Sequence, residues 1–282
     1  MIIPKGCAVF RKFPYAITFL LLGLAPLNAA GFDALASHRA VYEVTLLDAE
    51  DRSGIETMNG RIVYEVLGNT CQGMSTKYRF VTRIATGRDS FVTDLQSASH
   101  ESADGSEFFF VTKSFVNDQQ DQDVNGKAVR TSDGISVSFK GEDQRELELD
   151  SAIFTTAHLL AVLESAKKGE VFVSHTIFDG IGDADKLLNS AAVIGAKKTV
   201  TEQLQGEGDG DIASLREMSA WPVTMSYFNT NPDNTAEAIP IYESNFLLYD
   251  NGISRDLTMR YPDYSLKAVL SELEYLDAGV CE

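Results

Sequence analysis

The stretch Arg39-Ala40-Val41-Tyr42-Glu43-Val44-Thr45-Leu46 alternates side-chain character with a period of two. Ala40, Tyr42, Val44 and Leu46 share one face, and Arg39, Glu43 and Thr45 the other. That is the pattern of a strand with one side on a core and the other in water. It returns at Ile62, Tyr64 and Val66 against Arg61 and Glu65, and at Met74, Tyr78, Phe80 and Ile84 against Lys77, Arg79 and Arg83. Residues 90–99 and 107–117 continue it, the second through Phe108-Phe109-Phe110-Val111. Asp104-Gly105, Asn125-Gly126, Asp133-Gly134 and Asn251-Gly252 read as hairpin turns, since a type I′ turn needs φ > 0 at both central positions. Gly68-Asn69 marks a further turn before Cys71. The first half of the chain is expected to be an antiparallel meander.

One helix interrupts the strands, near 155–168. Thr155-Thr156 can cap its start, and Leu159, Leu160 and Leu163 form an apolar stripe. Lys167 and Lys168 occupy the last turn, with Gly169 at C′. Strands resume at 170–178, 219–228, 241–249 and 253–261. Residues 202–218, containing Gly206-Glu207-Gly208-Asp209-Gly210-Asp211, read as a flexible acidic loop that could hold a cation weakly. Residues 264–277 are ambiguous. Leu266, Val269, Leu270, Leu273 and Leu276 suit a helix, while Val269, Ser271, Leu273 and Tyr275 suit one face of a strand. No repeat of fixed period and no linker divides the chain, so residues 30–282 are expected to form a single β-rich domain.

The first 29 residues read as a cleaved secretory signal peptide. Lys5, Arg11 and Lys12 form a positive n-region, Tyr15 to Leu27 an apolar core, and Leu27 and Ala29 the −3 and −1 positions. The apolar run is shorter than the roughly 20 residues a bilayer demands. Cys7 precedes it and Cys71 is the next cysteine, so the lipid-attachment pattern of a bacterial lipoprotein is missing. A soluble periplasmic protein without a stable membrane anchor is expected.

The 282 residues carry 24 Lys and Arg against 41 Asp and Glu, a formal net charge of −17, and the leader takes three of the positive charges with it. Such a chain repels phosphate backbones and anionic bilayer surfaces, which argues against nucleic acid as a partner. With 44% hydrophobic and 10% aromatic residues, it has the composition of a globular protein.

Once the leader is removed, Cys71 and Cys281 remain. In an oxidising compartment they can pair with each other, stay free or bond to a partner. Their separation lacks the Cys-x-x-Cys spacing of a redox motif.

Signatures of catalysis are missing: no Gly-x-Ser-x-Gly elbow, no His-Glu-x-x-His helix and no phosphate-cradling Gly-x-x-x-x-Gly-Lys loop. His38, His100, His158 and His175 are scattered, and His158 and His175 read as packed core residues. Asp121-x-Asp123-x-Asn125-Gly126 copies the first half of a calcium loop, but its twelfth position is Ser132 rather than Glu. No catalytic residue, metal site or cofactor is assigned. Phe108, Phe110 and Trp221 are the weak candidates for lining a hydrophobic ligand cavity.

Taken in order and spacing, several segments resemble the EipB family of periplasmic cell-envelope-integrity proteins. They include His38-Arg39-Ala40-Val41-Tyr42, Asp51-Arg52-Ser53-Gly54-Ile55, Gly60-Arg61-Ile62-Val63-Tyr64-Glu65 and Arg79-Phe80-Val81-Thr82-Arg83. Thr156-Ala157-His158-Leu159-Leu160, Lys168-Gly169-Glu170, Phe178-Asp179-Gly180, Tyr249-Asp250-Asn251-Gly252 and the two cysteines continue the match. The resemblance implies a mainly β fold, a long curved antiparallel sheet or β-spiral with a helix inside its curve, similar in outline to periplasmic lipoprotein carriers. It also implies a Cys71–Cys281 disulfide, a strand at 264–277 and a non-enzymatic role in envelope integrity. A lipid, a lipoprotein or another periplasmic protein is the partner such a fold suggests. A protein-interaction module and, behind it, an envelope hydrolase are the rival readings.

Overall fold

A computed structural model describes residues 31–141, 144–182, 184–208, 210–230 and 239–281. The proposed leader lies outside the described residues. In chain order the strands are β1 His38–Ala49, β2 Ile55–Asn69, β3 Gly73–Thr86, β4 Ser90–Glu101, β5 Glu107–Val116, β6 Gln119–Arg130, β7 Ile135–Lys140, β8 Glu146–Leu149 and β9 Ile153–Phe154. Helix α1 (Thr155–Lys168) follows, then β10 Phe172–Phe178, β11 Leu188–Ile194, β12 Lys198–Thr199, β13 Ser219–Asn229, β14 Tyr242–Tyr249, β15 Ser254–Arg260 and β16 Tyr264–Tyr275. They form one curved sheet in the order β8-β7-β6-β5-β4-β3-β2-β1-β16-β15-β14-β13-β11-β10-β9, with β12 against β13. The chain thus meanders through β1–β8 and returns to pair its last strand with its first, Ala40 opposite Leu273 and Val44 opposite Ala268. All pairings are antiparallel except β9 with β10. Two parallel strands need a crossover, and α1 is that crossover.

The two ends of the sheet meet through phenylalanines. Phe108 and Phe110 of β5 and Phe139 of β7 pack with Phe154 of β9 and Phe178 of β10, all buried. Phe108 stacks on Phe154 at 5.0 Å between centroids, and Phe110 meets Phe178 edge-on at 5.5 Å. Hydrogen bonds follow the same seam: Thr112 Oγ1 to the Gly180 carbonyl (3.1 Å) and Arg130 to the Ala152 carbonyl (2.9 Å). Phe110 lies between two glycines. A Cβ at Gly126 would come within 2.5 Å of its ring, and one at Gly180 within 2.6 Å.

That contact corrects the reading of Asn125-Gly126 as a turn. Gly126 sits within β6, opposite Phe110, because only a residue without a side chain leaves room for the ring. The β5–β6 hairpin turns instead at Asn117-Asp118, whose φ values of 49° and 63° meet the type I′ requirement without glycine. Asp121, Asp123 and Asn125, the partial calcium loop, are therefore strand residues.

Residues 264–277 contain the strand β16, and its bulge explains the ambiguous pattern. Tyr42 pairs with Leu270 and Val41 with Glu272, leaving Ser271 as an extra residue. The buried set runs Leu266, Ala268, Leu270 and then shifts to Leu273. A period of two with one phase slip yields a spacing of three, which imitates a helix.

The reading of 202–218 as a flexible acidic loop is also corrected. Gly210–Glu217 form a 3₁₀ helix whose Ile212 and Leu215 are fully buried. Arg255 of β15 is fully buried and bonds the Glu207 carboxylate, the Tyr249 hydroxyl (2.9 Å) and the Glu202 carbonyl (2.8 Å). The Glu207 charge is thus spent on an arginine rather than left for a cation. Burying such a pair is tolerable because the guanidinium has an acceptor at each of these positions.

The Cys71 and Cys281 sulfurs lie at bonding distance, their Cα atoms 5.8 Å apart across a sequence separation of 210. Asn69 organises this corner, its Oδ1 accepting from the Cys71 and Gln72 amides and its Nδ2 donating to the Ala278 carbonyl.

Two stability tests follow from this closure. Phe178→Ala removes a buried ring from the seam and should cost about 3–5 kcal/mol. That corresponds to a fall in Tm of roughly 10 °C for a domain of this size, read by thermal denaturation. Cys71→Ser should lower Tm too, since it removes up to roughly 5 kcal/mol of loop-closure stabilisation. It should also leave Cys281 reactive to a thiol probe in non-reduced, denatured protein. Full labelling of both cysteines in the wild-type protein exported to the periplasm would show that the bond does not form.

Candidate functional site

On β1–β4 the outward positions carry Glu43, Arg61, Glu65, Lys77, Arg79 and Asp94, joined across strands as Arg61–Glu43, Lys77–Glu65 (2.9 Å) and Arg79–Asp94 (2.8 Å). The inward positions carry rings: Tyr64 of β2, Tyr78 and Phe80 of β3, Tyr227 of β13, Tyr242 of β14, Tyr261 of the β15–β16 turn and Tyr264 of β16. All seven are half-buried rather than buried. They alternate with buried neighbours such as Ile62, Val66 and Met74, so the solvent they retain lies inside the curve.

The rings form a continuous ladder. Tyr264 stacks on Tyr261 at 4.8 Å, Tyr261 meets Tyr242 at 5.0 Å, and Tyr242 stacks on Tyr227 at 5.7 Å. Tyr227 then meets His158 of α1 at 6.4 Å, and His158 meets His175 of β10 at 6.0 Å. Burial raises the pKa of each tyrosine, Tyr64 to about 12. Tyr261 adds to the rise at Tyr78, and Tyr78 to the rise at Tyr242. Tyr78 and Phe80 of β3 pack against the same buried cluster as Tyr242, Tyr261 and Tyr264.

Helix α1 fills one side of the curve, with Leu160, Val162, Leu163 and Ala166 packed against Trp221, Val223 and Met225 of β13 and Ala192 and Ile194 of β11. Its C-terminus ends as the sequence suggests, Gly169 at φ 77° with Gly169 N and Glu170 N bonding the Ala166 and Ser165 carbonyls. Its N-terminus does not. Neither Thr155 nor Thr156 caps it; the cap residue is Phe154, without a side-chain bond. Instead Glu101, buried at the end of β4, accepts from the Thr156 amide (3.0 Å) and the Ala157 amide (3.2 Å). A carboxylate from 55 residues away replaces the local cap and complements the positive end of the helix. Burial pushes the Glu101 carboxyl above its ordinary range, against the downward pull of those amide bonds.

The sequence candidates for ligand lining lie elsewhere. Phe108 and Phe110 are fully buried in the seam, and Trp221 is packed beneath α1 with Lys197 over its ring. The sequence reads Tyr64, Tyr78 and Phe80 as inward strand residues, while Tyr227, Tyr242, Tyr261 and Tyr264 fall in segments read only as strands or left ambiguous; all of these rings keep partial exposure. His158 and His175, read as packed histidines, stand at the inner end of their ladder. No single segment signals that arrangement, because its members come from seven elements and a turn.

Among the described residues, no three His, Cys, Asp or Glu side chains converge as a metal site would need. No helix there is long and apolar enough to cross a membrane. His158 Nε2 lies 3.0 Å from Ser190 Oγ. This resembles a base beside a nucleophile, but burial, aided by His175, holds His158 down to about 4. An imidazole so weakly basic is a poor proton acceptor at neutral pH.

Glu101 gives a pH test. A carboxyl whose folded pKa is raised binds its proton more tightly in the native state. Its contribution is therefore full below the unfolded value of about 4.3 and falls as pH rises through the folded value. Glu101→Gln keeps an acceptor for the two amides and cannot ionise. The Tm of the wild type relative to this variant should drop as pH rises from 4 to 7, and a flat difference would show that Glu101 is not held up by burial.

A model of the family described as EipB-like matches residues 29–277 of this chain. The chain is similar to the cell envelope integrity protein EipB of Brucella abortus (strain 2308). The two are 36% identical over 269 residues, covering 94% of this chain and 93% of that one. It is also similar to a crystal structure of a beta-barrel-like protein, a domain of unknown function from Brucella abortus. That match has a TM-score of 0.80 at 36% identity and covers 86% of this chain and 99% of the other.

Proposed function

The chain belongs to the EipB-like family, and from that membership we propose that it is a non-enzymatic periplasmic protein supporting cell-envelope integrity by holding an acyl chain inside the curve of its sheet. The ladder of half-buried tyrosines carries this reading. A tyrosine presents an apolar ring to a hydrocarbon and a hydroxyl to water, so a wall of them suits a cavity that is alternately filled and empty. The Brucella relative's name as an envelope integrity protein supports the cellular role. The leader-like residues 1–29 and the Cys71–Cys281 pair support export to an oxidising compartment. The acyl chain belongs either to a free lipid or to a lipidated protein. The low basicity of His158 supports binding over hydrolysis.

One observation favours a second reading. Val171, Phe172 and Val193 are exposed at 70%, 56% and 55%, and Phe172 and Val193 are cross-strand partners. Exposed apolar side chains grouped in this way are a usual mark of a protein-binding surface.

Native mass spectrometry of protein purified from the periplasm without detergent separates the two. Extra mass that organic extraction identifies as acyl lipid is the expected result. A single mass equal to the polypeptide from residue 30 onward, two hydrogens light for the disulfide, would remove the acyl-chain reading and leave the apolar patch as the place to look.

A further inference from the structure

At the inner end of the tyrosine ladder, four polar groups from four elements come together, and one of them has a ring nitrogen without a partner. His158 projects from α1, His175 from β10, Ser190 from β11 and Tyr227 from β13. His158 Nε2 and Ser190 Oγ are paired at 3.0 Å. The Tyr227 hydroxyl donates to the Met225 sulfur at 2.7 Å, a weak acceptor. His175 Nε2 is buried and has no hydrogen-bond partner. Leaving a buried polar atom in that state is costly, so a fold that keeps one usually has a use for it.

The chemistry of the surroundings limits what could satisfy it. The inward positions of β2–β4 facing this region carry Tyr64, Thr76, Tyr78, Ser97, Ser99 and, as the one formally charged group among them, Glu101, whose Oε2 accepts from the α1 amides while its Oε1 is buried without a partner. Asp179, just beyond β10, is near enough to Tyr227 to raise its pKa, and burial pushes the Asp179 carboxyl up as well. No lysine is among these groups, and the one arginine near them, Arg130, which acts on Glu101, is held by the Ala152 carbonyl and the Phe154 ring. A phosphate or carboxylate brought here would be desolvated with no cation to pair with, and would face a carboxyl group. An uncharged carbonyl or hydroxyl would suffer neither cost, and the rings stacked outward from the cluster would cover the hydrocarbon attached to it.

We propose that His175, with Tyr227 and the His158–Ser190 pair, is the recognition site for the uncharged ester, amide or hydroxyl end of an acylated ligand whose chain runs along the tyrosine ladder. This rests on the acyl-binding reading above and specifies the ligand class: acyl esters and amides, not free fatty acids or phosphate-terminated chains. The shared chemistry occurs both in a monoacylglycerol and in an acylated N-terminal cysteine.

The test is a set of competition titrations on the full mature protein against the fluorescent probe anilinonaphthalene sulfonate. The competitors are monooleoylglycerol, oleate and a synthetic acylated Cys-Ser lipopeptide. The wild type should bind the uncharged ester at least ten-fold more tightly than oleate. His175→Phe, which keeps a ring of similar size and removes both nitrogens, should abolish that preference while leaving probe binding in place. His175→Gln should retain most of it, and Tyr227→Phe, which gives the same readout if His175→Phe fails to fold, should weaken it. Tighter binding of the lipopeptide than of monooleoylglycerol would identify the source as a lipidated protein, and the reverse a free lipid. A preference that survives in both His175→Phe and Tyr227→Phe, or a wild type that prefers oleate, would overturn the assignment of the cluster. Failure of every acyl competitor to displace the probe would overturn the acyl-binding reading itself, and the recognition site with it.

Discussion

A sheet this long that curls without closing has two free edges and an interior to keep from collapsing. The seam of phenylalanines between β5–β7 and β9–β10 answers both needs. Phe108, Phe110, Phe139, Phe154 and Phe178 join the two ends of the sheet, and the flanking glycines Gly126 and Gly180 let the rings approach to contact. Strand edges left open would invite pairing with other chains. Once β9 and β10 are fastened to the far side of the curve, the crossover helix between them is held inside it. The tyrosine walls, the buried Glu101 and the histidines of the inner end all take their positions from that fastening.

The two faces of the sheet then divide the work. Outside, cross-strand ion pairs cover the surface, each worth little to stability because water screens it. Their value is solubility in a chain with a net charge of −17. Inside, apart from the Glu101 and Asp179 carboxyls, the polar content is hydroxyl and imidazole. An interior of that kind binds through burial of hydrocarbon and a few placed hydrogen bonds, and gains nothing from an anionic head group. At the opposite side the Arg255–Glu207 pair fixes the segment that follows β12 onto β15, which gives this part of the wall a fixed shape.

Much of the fold was legible because one physical rule, alternation on a half-buried strand, operates along most of the chain. The helix was legible from its leucines and its Gly169 stop. Misreadings arose where a contact distant in sequence overrode a local signal. Asn125-Gly126 has the composition of a turn, yet Gly126 is required by a ring on the neighbouring strand. The start of α1 offers two threonines, yet a carboxylate from β4 does the capping. Glu207 sits in a glycine-rich acidic run, yet it neutralises a buried arginine. The phase slip at Ser271 hid a strand behind a helical spacing. The candidate site was legible least of all. Its tyrosines look like core residues in the sequence, and only the curvature of the sheet, a property of all the strands together, leaves their rings half in solvent.

The ladder as an acyl-binding wall can be examined in living cells by placing the photoreactive residue p-benzoylphenylalanine at position 242. Tyr242 is central in the ladder, between Tyr227 and Tyr261, and packs against the same buried cluster as Tyr78 of β3. Irradiation followed by intact-protein mass spectrometry should give an adduct whose mass is that of an acyl lipid or of a lipidated peptide. An unmodified protein, or an adduct only to a polypeptide that carries no lipid, would contradict the account.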